Sequence, residues 1–424
     1  MKDKQLLQRI QGKYHNYLGR FSGHFSRPDW KCLVQMCFGV LESGEVKLSK
    51  IAQALGEGIS MKKTTERLAR HLGRAGFWAE ILDGVLGVQR RALRRCRYLI
   101  FDISDIQKSY AMKMEGLAQV HDGSESKDNK KPSIGLGYWL ANVIGVSADG
   151  SRIVPAYSEL YSLEAEVTSE NKKILSAIGR VCAAIGKGGI WVLDRGGDRI
   201  ELMRRLLRDE IYFVIRQMGR RHLWYRGKHR SFRWVSRKVA LSYSFRVKKK
   251  HKNRLVERVY CAGAVPVRLT KRGVDLWLVV SKAAGRGYTW YLAHLPAGIE
   301  EEEAVELAIK GYGNRWKIEE VHRHVKEQYN WEAICLRRYV ALKNMNAVFW
   351  MAMSFLYTQL ESVPVQLFTR LNLIYRHKVT EVLGFIYYKL SVALKQLFAR
   401  CTLRLKILHK WPDKSQLTLN LQCV

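Results

Sequence analysis

Tyr312, Arg315, Glu319 and Lys326 stand at the spacing Y-x2-R-x3-E-x6-K inside the segment GYGNRWKIEEVHRHVK, residues 311–326. On an α-helix, which turns about 100° per residue, the four fall within an arc of roughly 60°, and the neighbouring Glu320 falls outside it. Ile318, Val321 and Val325 gather on nearly the opposite side, as a core-facing stripe does. One polar face therefore sets a carboxylate between two cations and a phenol. Carboxylate oxygens suit a divalent cation, and Arg, Lys and Tyr donors suit phosphate oxygens, so the chemistry is that of a metal-and-phosphate site. A solvated helix with ordinary surface charge explains the same face equally well, and the face alone does not decide between them.

Two aspartates elsewhere tip the balance. The apolar run 98–101 is of strand type and delivers Asp102 at its end, within FDISD. A second such run, 189–193, delivers Asp194 into DRGGD, after which residues 200–207 turn helical. A carboxylate at the end of a buried strand, beside a strand-to-helix turn, is a common way to build a site in open α/β sheets. Asp198 has a simpler reading, as the cap of a helix starting near Arg199. Arg195 suits either a backbone phosphate or a pair with Asp198.

The elements that position these residues can be read in order. Residues 1–95 read as helical, and within them 48–55, Gly56 and Gly58, then 61–74 resemble helix, turn, helix. The second helix aligns Lys63, Arg67, Arg70 and Arg74 opposite Leu68 and Leu72. That stripe suits a helix laid against DNA; a solvated amphipathic helix is the plainer account, and the charge of the chain favours DNA. Residues 116–131 read as an exposed loop. Strands at 134–146 and 152–157 follow, joined by a turn at 148–150, then a helix from about 168 to 184 and a strand at 211–216. Residues 217–296 interrupt the series with short Val-, Tyr- and Trp-bearing segments, among them 232–235, 255–267, 275–280 and 288–292, which predict an inserted antiparallel β domain. Strand with Asp, hairpin, helix, strand with Asp, helix, strand, interruption, helix with Glu resembles the order of a ribonuclease-H-like fold. The expected class is α/β, a ribonuclease-H-like catalytic core interrupted by an antiparallel β insertion, with helical N- and C-terminal regions.

The charge of the chain points to a polyanion. Its 424 residues carry 73 Lys and Arg against 38 Asp and Glu, a formal net charge of +35. A surface this cationic attracts a phosphate backbone through counterion release. No apolar stretch of 18 or more residues is present to span a bilayer, and the start, MKDKQ, continues into polar and aromatic residues rather than a secretory signal. The eight cysteines form no C-x2-C pair and read as reduced thiols. Between Arg220 and Arg258 stand 15 Lys and Arg with one acid, Glu257, interleaved with Trp224, Tyr225, Phe232, Trp234, Tyr243 and Phe245. Cations among rings serve phosphates and exposed bases, although sheet packing is the commoner use of such rings. His322 and His324, at i and i+2, do not share a helical face, which argues against a zinc site. Arg323 lies nearer the signature arc and is a further candidate for DNA contact. The glycine pairs 188–189 and 196–197 lack a phosphate-loop pattern and read as turns.

Taken together, Asp102, Asp194 in its Asp-Arg-Gly block, FVIR at 213–216 before the insertion and RWKIEEVH at 315–322 resemble the DDE transposases of bacterial insertion sequences. The likeness is to the insertion-sequence-four-like branch that includes the Tn-five transposase, and it covers about residues 97–329. It implies that Asp102, Asp194 and Glu319 hold two Mg2+ ions, for which Mn2+ can substitute, because in-line displacement at phosphorus needs charge neutralised on the entering and leaving oxygens. It implies that Tyr312, Arg315 and Lys326 grip the phosphates near the cut. Trp290 stands one residue out of step with a branch tryptophan that stabilises a hairpin with a flipped base. The implied reaction is cleavage at the ends of the element, a DNA hairpin, and attack of the freed 3′-hydroxyl on target DNA. The implied partners are double-stranded DNA, both terminal inverted repeats and target, and a second copy of the chain in a synaptic complex, in a bacterial cytoplasm at the nucleoid.

The expected divisions are a DNA-binding region at 1–95, a catalytic core at 96–216 and 297–335, the insertion at 217–296, and a helical region at 336–424 for pairing and DNA contact. Two rivals remain: a decayed or domesticated relative that binds DNA without cutting, and a structure-selective nuclease of the same fold without strand transfer. The first need not keep all three carboxylates, which are present here. The Tyr-Arg-Glu-Lys signature and the basic insertion weigh against the second.

Overall fold

A computed structural model describes residues 3–108, 110–121, 134–251, 254–283, 285, 287–360 and 385–399. The chain opens with five helices, α1 (Asp3–Gly19), α2 (Arg27–Ser43), α3 (Leu48–Leu55), α4 (Met61–Leu72) and α5 (Phe77–Arg94). Their limits follow from local chemistry. Ser26 caps α2 by accepting from the Asp29 N–H, and Gly44 ends that helix with a φ of 64°, a left-handed turn that glycine takes without strain.

The central sheet then forms around β1 (Tyr98–Gln107), β2 (Ala118–His121), β3 (Ile134–Val146) and β4 (Ile153–Tyr161). It continues through α6 (Glu170–Ile185), β5 (Ile190–Leu193), α7 (Ile200–Arg208) and β6 (Phe213–Arg216). Its core order is β4-β3-β1-β5-β6, with β3 antiparallel to β1 and β4, and β1, β5 and β6 parallel to one another. This is the ribonuclease-H-like layout. The parallel strands are buried on both faces, with Leu99, Ile100, Trp191 and Val192 all closed to solvent.

Several expectations change. The strand bearing Asp102 does not stop at residue 101 but runs on to Gln107, because β3 pairs with it along its whole length. Part of the expected 116–131 loop is strand β2; residues 122–133 lie outside the described residues. Residues 217–296 fold as β7 (His222–Tyr225), β8 (Lys228–Ser231), α8 (Phe232–Ser236), β9 (Tyr243–His251), β10 (Arg254–Val267), β11 (Leu276–Ala283) and β12 (Tyr288–His294). The segment at 232–235 is thus a short helix rather than a strand, capped by Ser231 and turning Phe232 and Val235 inward together. The insertion is also not a detached sheet. Strand β12 pairs antiparallel with β6 and carries β11, β10 and β9 outward, so the core sheet is extended and the edge of β6 is satisfied. Only the β7–β8 hairpin forms a separate two-stranded sheet.

Four more described helices complete the fold: α9 (Glu301–Gly313), α10 (Trp316–Gln328), α11 (Tyr339–Gln359) and α12 (Tyr387–Ala399). Gly311 lets α9 lie against the sheet, since a Cβ there would come within 2.8 Å of the Tyr98 ring. Helix α11 packs on β4 and on α1, α2, α4 and α5, so the N-terminal helices share one core with the sheet. Tyr17 donates to the Met351 carbonyl (3.2 Å), and Gln89 donates to Ser354 and Thr358 (2.6 and 2.9 Å). Of the C-terminal helical reading, residues 361–384 and 400–424 lie outside the described residues. Six cysteines are free thiols; Cys401 and Cys423 fall outside. Among the described residues, no helix is long and apolar enough to cross a membrane.

Candidate active site

The register of two strands brings the aspartates together. Tyr98, Leu99 and Ile100 of β1 pair with Ile190, Trp191 and Val192 of β5, an offset that, carried two residues further, sets Asp102 beside Asp194. Because β5 ends at Leu193, β1 runs past its parallel partner just where Asp102 stands, and the burial of β1 relaxes from Asp102 to Ser104. The chain after β5 turns through a short 3-10 segment, Arg195–Gly197, capped by Asp194, whose carboxylate accepts from the Gly196 N–H at 2.7 Å.

The Tyr-Arg-Glu-Lys segment is two helices, not one. The chain tightens at Asn314 and Arg315, where the N–H groups of Arg315, Lys317 and Ile318 each reach the carbonyl three residues back. Both junction residues keep right-handed dihedrals, so the turn shifts the face without reversing it. Ile318, Val321 and Val325 are buried as expected. Arg315 lies at the centre of the acidic group: its guanidinium is 3.5 Å from Asp102 and paired with Glu319. Tyr312 sits beside it, with the Arg315 guanidinium 5.7 Å from its ring centre and its hydroxyl accepting from Arg216 at 3.2 Å.

Lys326 points elsewhere. It pairs with Asp105 (3.1 Å), three residues beyond Asp102 along β1, and with Glu332 (3.3 Å), in the short turn after α10. Arg323 is held by Glu320 at 2.6 Å, and Glu320 is itself buried and accepts from Tyr388. The two histidines diverge, as an i, i+2 pair must. His322 turns inward, Nδ1 3.9 Å from Asp102, while His324 is fully buried between Ser391 (2.8 Å) and Tyr357 (3.0 Å). Burial, with the Lys326 and Arg315 charges nearby, lowers the His322 pKa to about 3; burial alone does most of the same to His324, also to about 3.

Electrostatics mark Asp102 as the strained member. Burial raises its carboxyl to about 7; Arg315 opposes the shift, and the Asp194 and Glu319 charges add to it. Three carboxylates that repel one another are a hard-oxygen donor set suited to Mg2+ or Mn2+, and in that chemical sense they fit the expected ions. They are not gathered as a finished cage: among the described residues no three Asp, Glu, His or Cys stand close enough to ligate one ion. Glu319 keeps its side chain 49% exposed, with its carboxylate paired to Arg315.

The other expected contacts are placed differently. Trp290, on β12, packs edge-on against Phe232 at 5.8 Å and under Gly219, whose φ of 74° leaves a surface that a Cβ would bring to 2.9 Å from the indole. In the N-terminal stripe Lys63 and Arg70 are exposed, but Arg67 is held by Glu57 (2.9 Å) and Gln35 (2.8 Å). Arg74 lies beyond the end of α4, tied to Asp29 and Glu80. Asp198 does not cap α7, whose first residue has Arg199 ahead of it with no side-chain cap. It accepts instead from the Met218 N–H at 2.6 Å and pairs with Arg221 rather than Arg195. Arg216, His322 and Asp105 were given no role by the spacing of the sequence. For Arg216 the signal was present, a cation ending an apolar strand; for the other two it was not.

Residues 156–355 match the family model described as a transposase DDE domain. The match supports a DDE transposase. It spans just under half of the chain and includes Asp194, Arg216, Tyr312, Arg315 and Glu319, with Asp102 ahead of it on β1. No curated protein sequence matches the chain. DDE transposases bind DNA and generally use divalent metal ions, in keeping with the acidic site and the cationic chain.

Proposed function

We propose that the protein is a transposase of the insertion-sequence-four-like branch that cuts the ends of a mobile element with Mg2+ and joins them to target DNA. What carries the reading is the register of β1 and β5, which sets Asp102 beside Asp194, together with Glu319, whose charge reaches Asp102 and whose partner Arg315 touches both. Asp102, Asp194 and Glu319 would hold the ions, which supply neutralising charge to the entering and leaving oxygens of an in-line displacement. Arg315, stationed between two carboxylates, turns a guanidinium edge to the scissile phosphate as Glu319 closes. Tyr312 and Arg216 form the next contact along the strand, through a hydroxyl and a second guanidinium. Lys326, braced by Asp105 and Glu332, reaches a phosphate further from the cut.

Water attacks first: an oxygen–phosphorus bond forms, the bond to the 3′ oxygen breaks, and a 3′-hydroxyl is freed. That hydroxyl attacks a phosphodiester of the opposite strand, and as its oxygen–phosphorus bond forms the bond to the flanking DNA's 3′ oxygen breaks, which closes a hairpin. A second water cleaves the hairpin bond and frees the 3′-hydroxyl again, and its attack on a target phosphodiester expels the target's own 3′ oxygen. Trp290 would receive the displaced base, which requires its ring to open from Phe232. Lys63 and Arg70 are the helical contacts with DNA left free by the ion pairs of Arg67 and Arg74; Arg323 becomes available only if it leaves Glu320. A homodimer in a synaptic complex, acting in a bacterial cytoplasm, completes the proposal, with regions 1–95 and 336–424 contributing DNA contact and pairing.

The test is incubation of the full chain with Mg2+ and DNA bearing the flanking repeats, scored for nicks, hairpins and joined products. Asp102→Asn, Asp194→Asn and Glu319→Gln are each expected to bind the ends and leave them uncut. Cutting by any of the three would show the triad to be wrongly assigned. Nicks without joined products would favour the nuclease.

A further inference from the structure

The β7–β8 hairpin and α8 stand apart from the carboxylate site yet are fastened to its rim. Met218 and Arg221, just ahead of β7, bind Asp198, four residues past Asp194. At its other side, Trp224 and Arg268 exchange backbone hydrogen bonds of 2.8 and 3.0 Å, which fix the hairpin to the end of β10. Helix α8 buries Phe232 and Val235, and this leaves Trp234 facing outward, 40% exposed. Among the described residues no other tryptophan is exposed. Arg230 and Lys238 lie over its ring, 4.8 and 5.5 Å from the centre. From residue 211 to 256 the chain has no Asp or Glu to compete for these cations.

The indole meets the buried Tyr225 ring only edge-on, 6.5 Å between ring centres, and side chains that can move to a phosphate, Arg230 and Lys238, lie over its ring. Bases within a duplex stack on one another and present edges to a protein. An unpaired base presents a face, which an aromatic ring takes while cations hold the flanking phosphates. We propose that Trp234, with Arg230 and Lys238, is a stacking contact for an unpaired base in a DNA strand running out from the carboxylate site over the hairpin. The inference rests on the transposase reading, and deepens it by assigning the hairpin a strand-specific role.

Binding of the full chain to two labelled DNAs of equal length tests it, at fixed salt and without divalent ions. One is a fully paired duplex; the other carries a run of unpaired thymines in one strand. Trp234→Ala should weaken binding to the second about tenfold and to the first less than twofold, the loss expected of one base stack. Trp234→Phe should keep most of the affinity, and Arg230→Ala should weaken both while reducing the salt dependence. Equal loss on both DNAs, no loss on either, or Phe no better than Ala would overturn the proposal and leave the transposase reading intact. If the unaltered chain binds neither DNA, both fall together.

Discussion

Asp198→Ala separates two readings of one carboxylate by magnitude. As a helix cap, Asp198 would be worth about 1 kcal/mol. As placed, its side chain is 5% exposed, accepts from the Met218 N–H at 2.6 Å and pairs with Arg221, itself 18% exposed. Removing one member of a buried pair strands the other and typically costs about 3–5 kcal/mol. Arg221 keeps a bond of 3.3 Å to the Asp198 carbonyl and some access to water, so about 2–4 kcal/mol is expected here. Urea unfolding followed by circular dichroism reads the loss directly. The pair should also show in a cycle: Asp198→Ala with Arg221→Leu should cost at least about 1 kcal/mol less than the two separate losses combined. Because the bond links the insertion to the turn after Asp194, cleavage should fall further than DNA binding does. A cost of about 1 kcal/mol or less with no coupling to Arg221 would refute the latch.

Three further outcomes follow from the same geometry. Glu319→Gln should lower Mg2+-dependent cleavage at least about 100-fold, whereas Glu320→Gln should retain cleavage and lose stability, since Glu320 is buried against Arg323 and Tyr388; end-labelled DNA and thermal melts separate the two. His324 has its pKa lowered to about 3, so the unfolded chain binds a proton there below about 6.5 that the folded chain refuses. Stability from this group is complete above that pH and is lost as pH falls toward 3, by up to about 1.4 kcal/mol per unit, and His324→Gln should flatten the unfolding free energy between pH 4 and 6 by about one proton. Gly311→Ala should destabilise by about 1–3 kcal/mol despite the better helix propensity of alanine, because its methyl would meet Tyr98 at 2.8 Å; a raised melting temperature would contradict the close approach of α9 to β1.

Much of the layout was legible because it is written in local periodicity. The apolar runs ending near Asp102 and Asp194, the helix from Ser169 and the hairpin turned at 148–150 are patterns over a few residues, and the structure contains them. The preference for Glu319 over Glu320 also follows from helical phase, which leaves one glutamate half-exposed toward Arg315 and buries the other. What a ten-residue window cannot see is pairing at a distance. The extension of β1 to Gln107 depends on β3, and the junction of β12 with β6, which turns an inserted domain into more of the same sheet, joins segments far apart in the chain.

The amino-acid sequence by itself determined which residues could do chemistry and which elements carry them, since residue type, strand alternation and helical phase are properties of short stretches. Tertiary structure alone decided which charges are free to do it. Arg67, Arg74 and Lys326 look alike in a string of basic residues, yet each is matched to an acid brought from another segment of the fold. Trp234 and Trp290 look alike among interleaved rings, yet one faces outward and the other is packed on Phe232. An ion pair or a ring contact reaches only a few ångströms, so whether it forms depends on where the fold brings its partner.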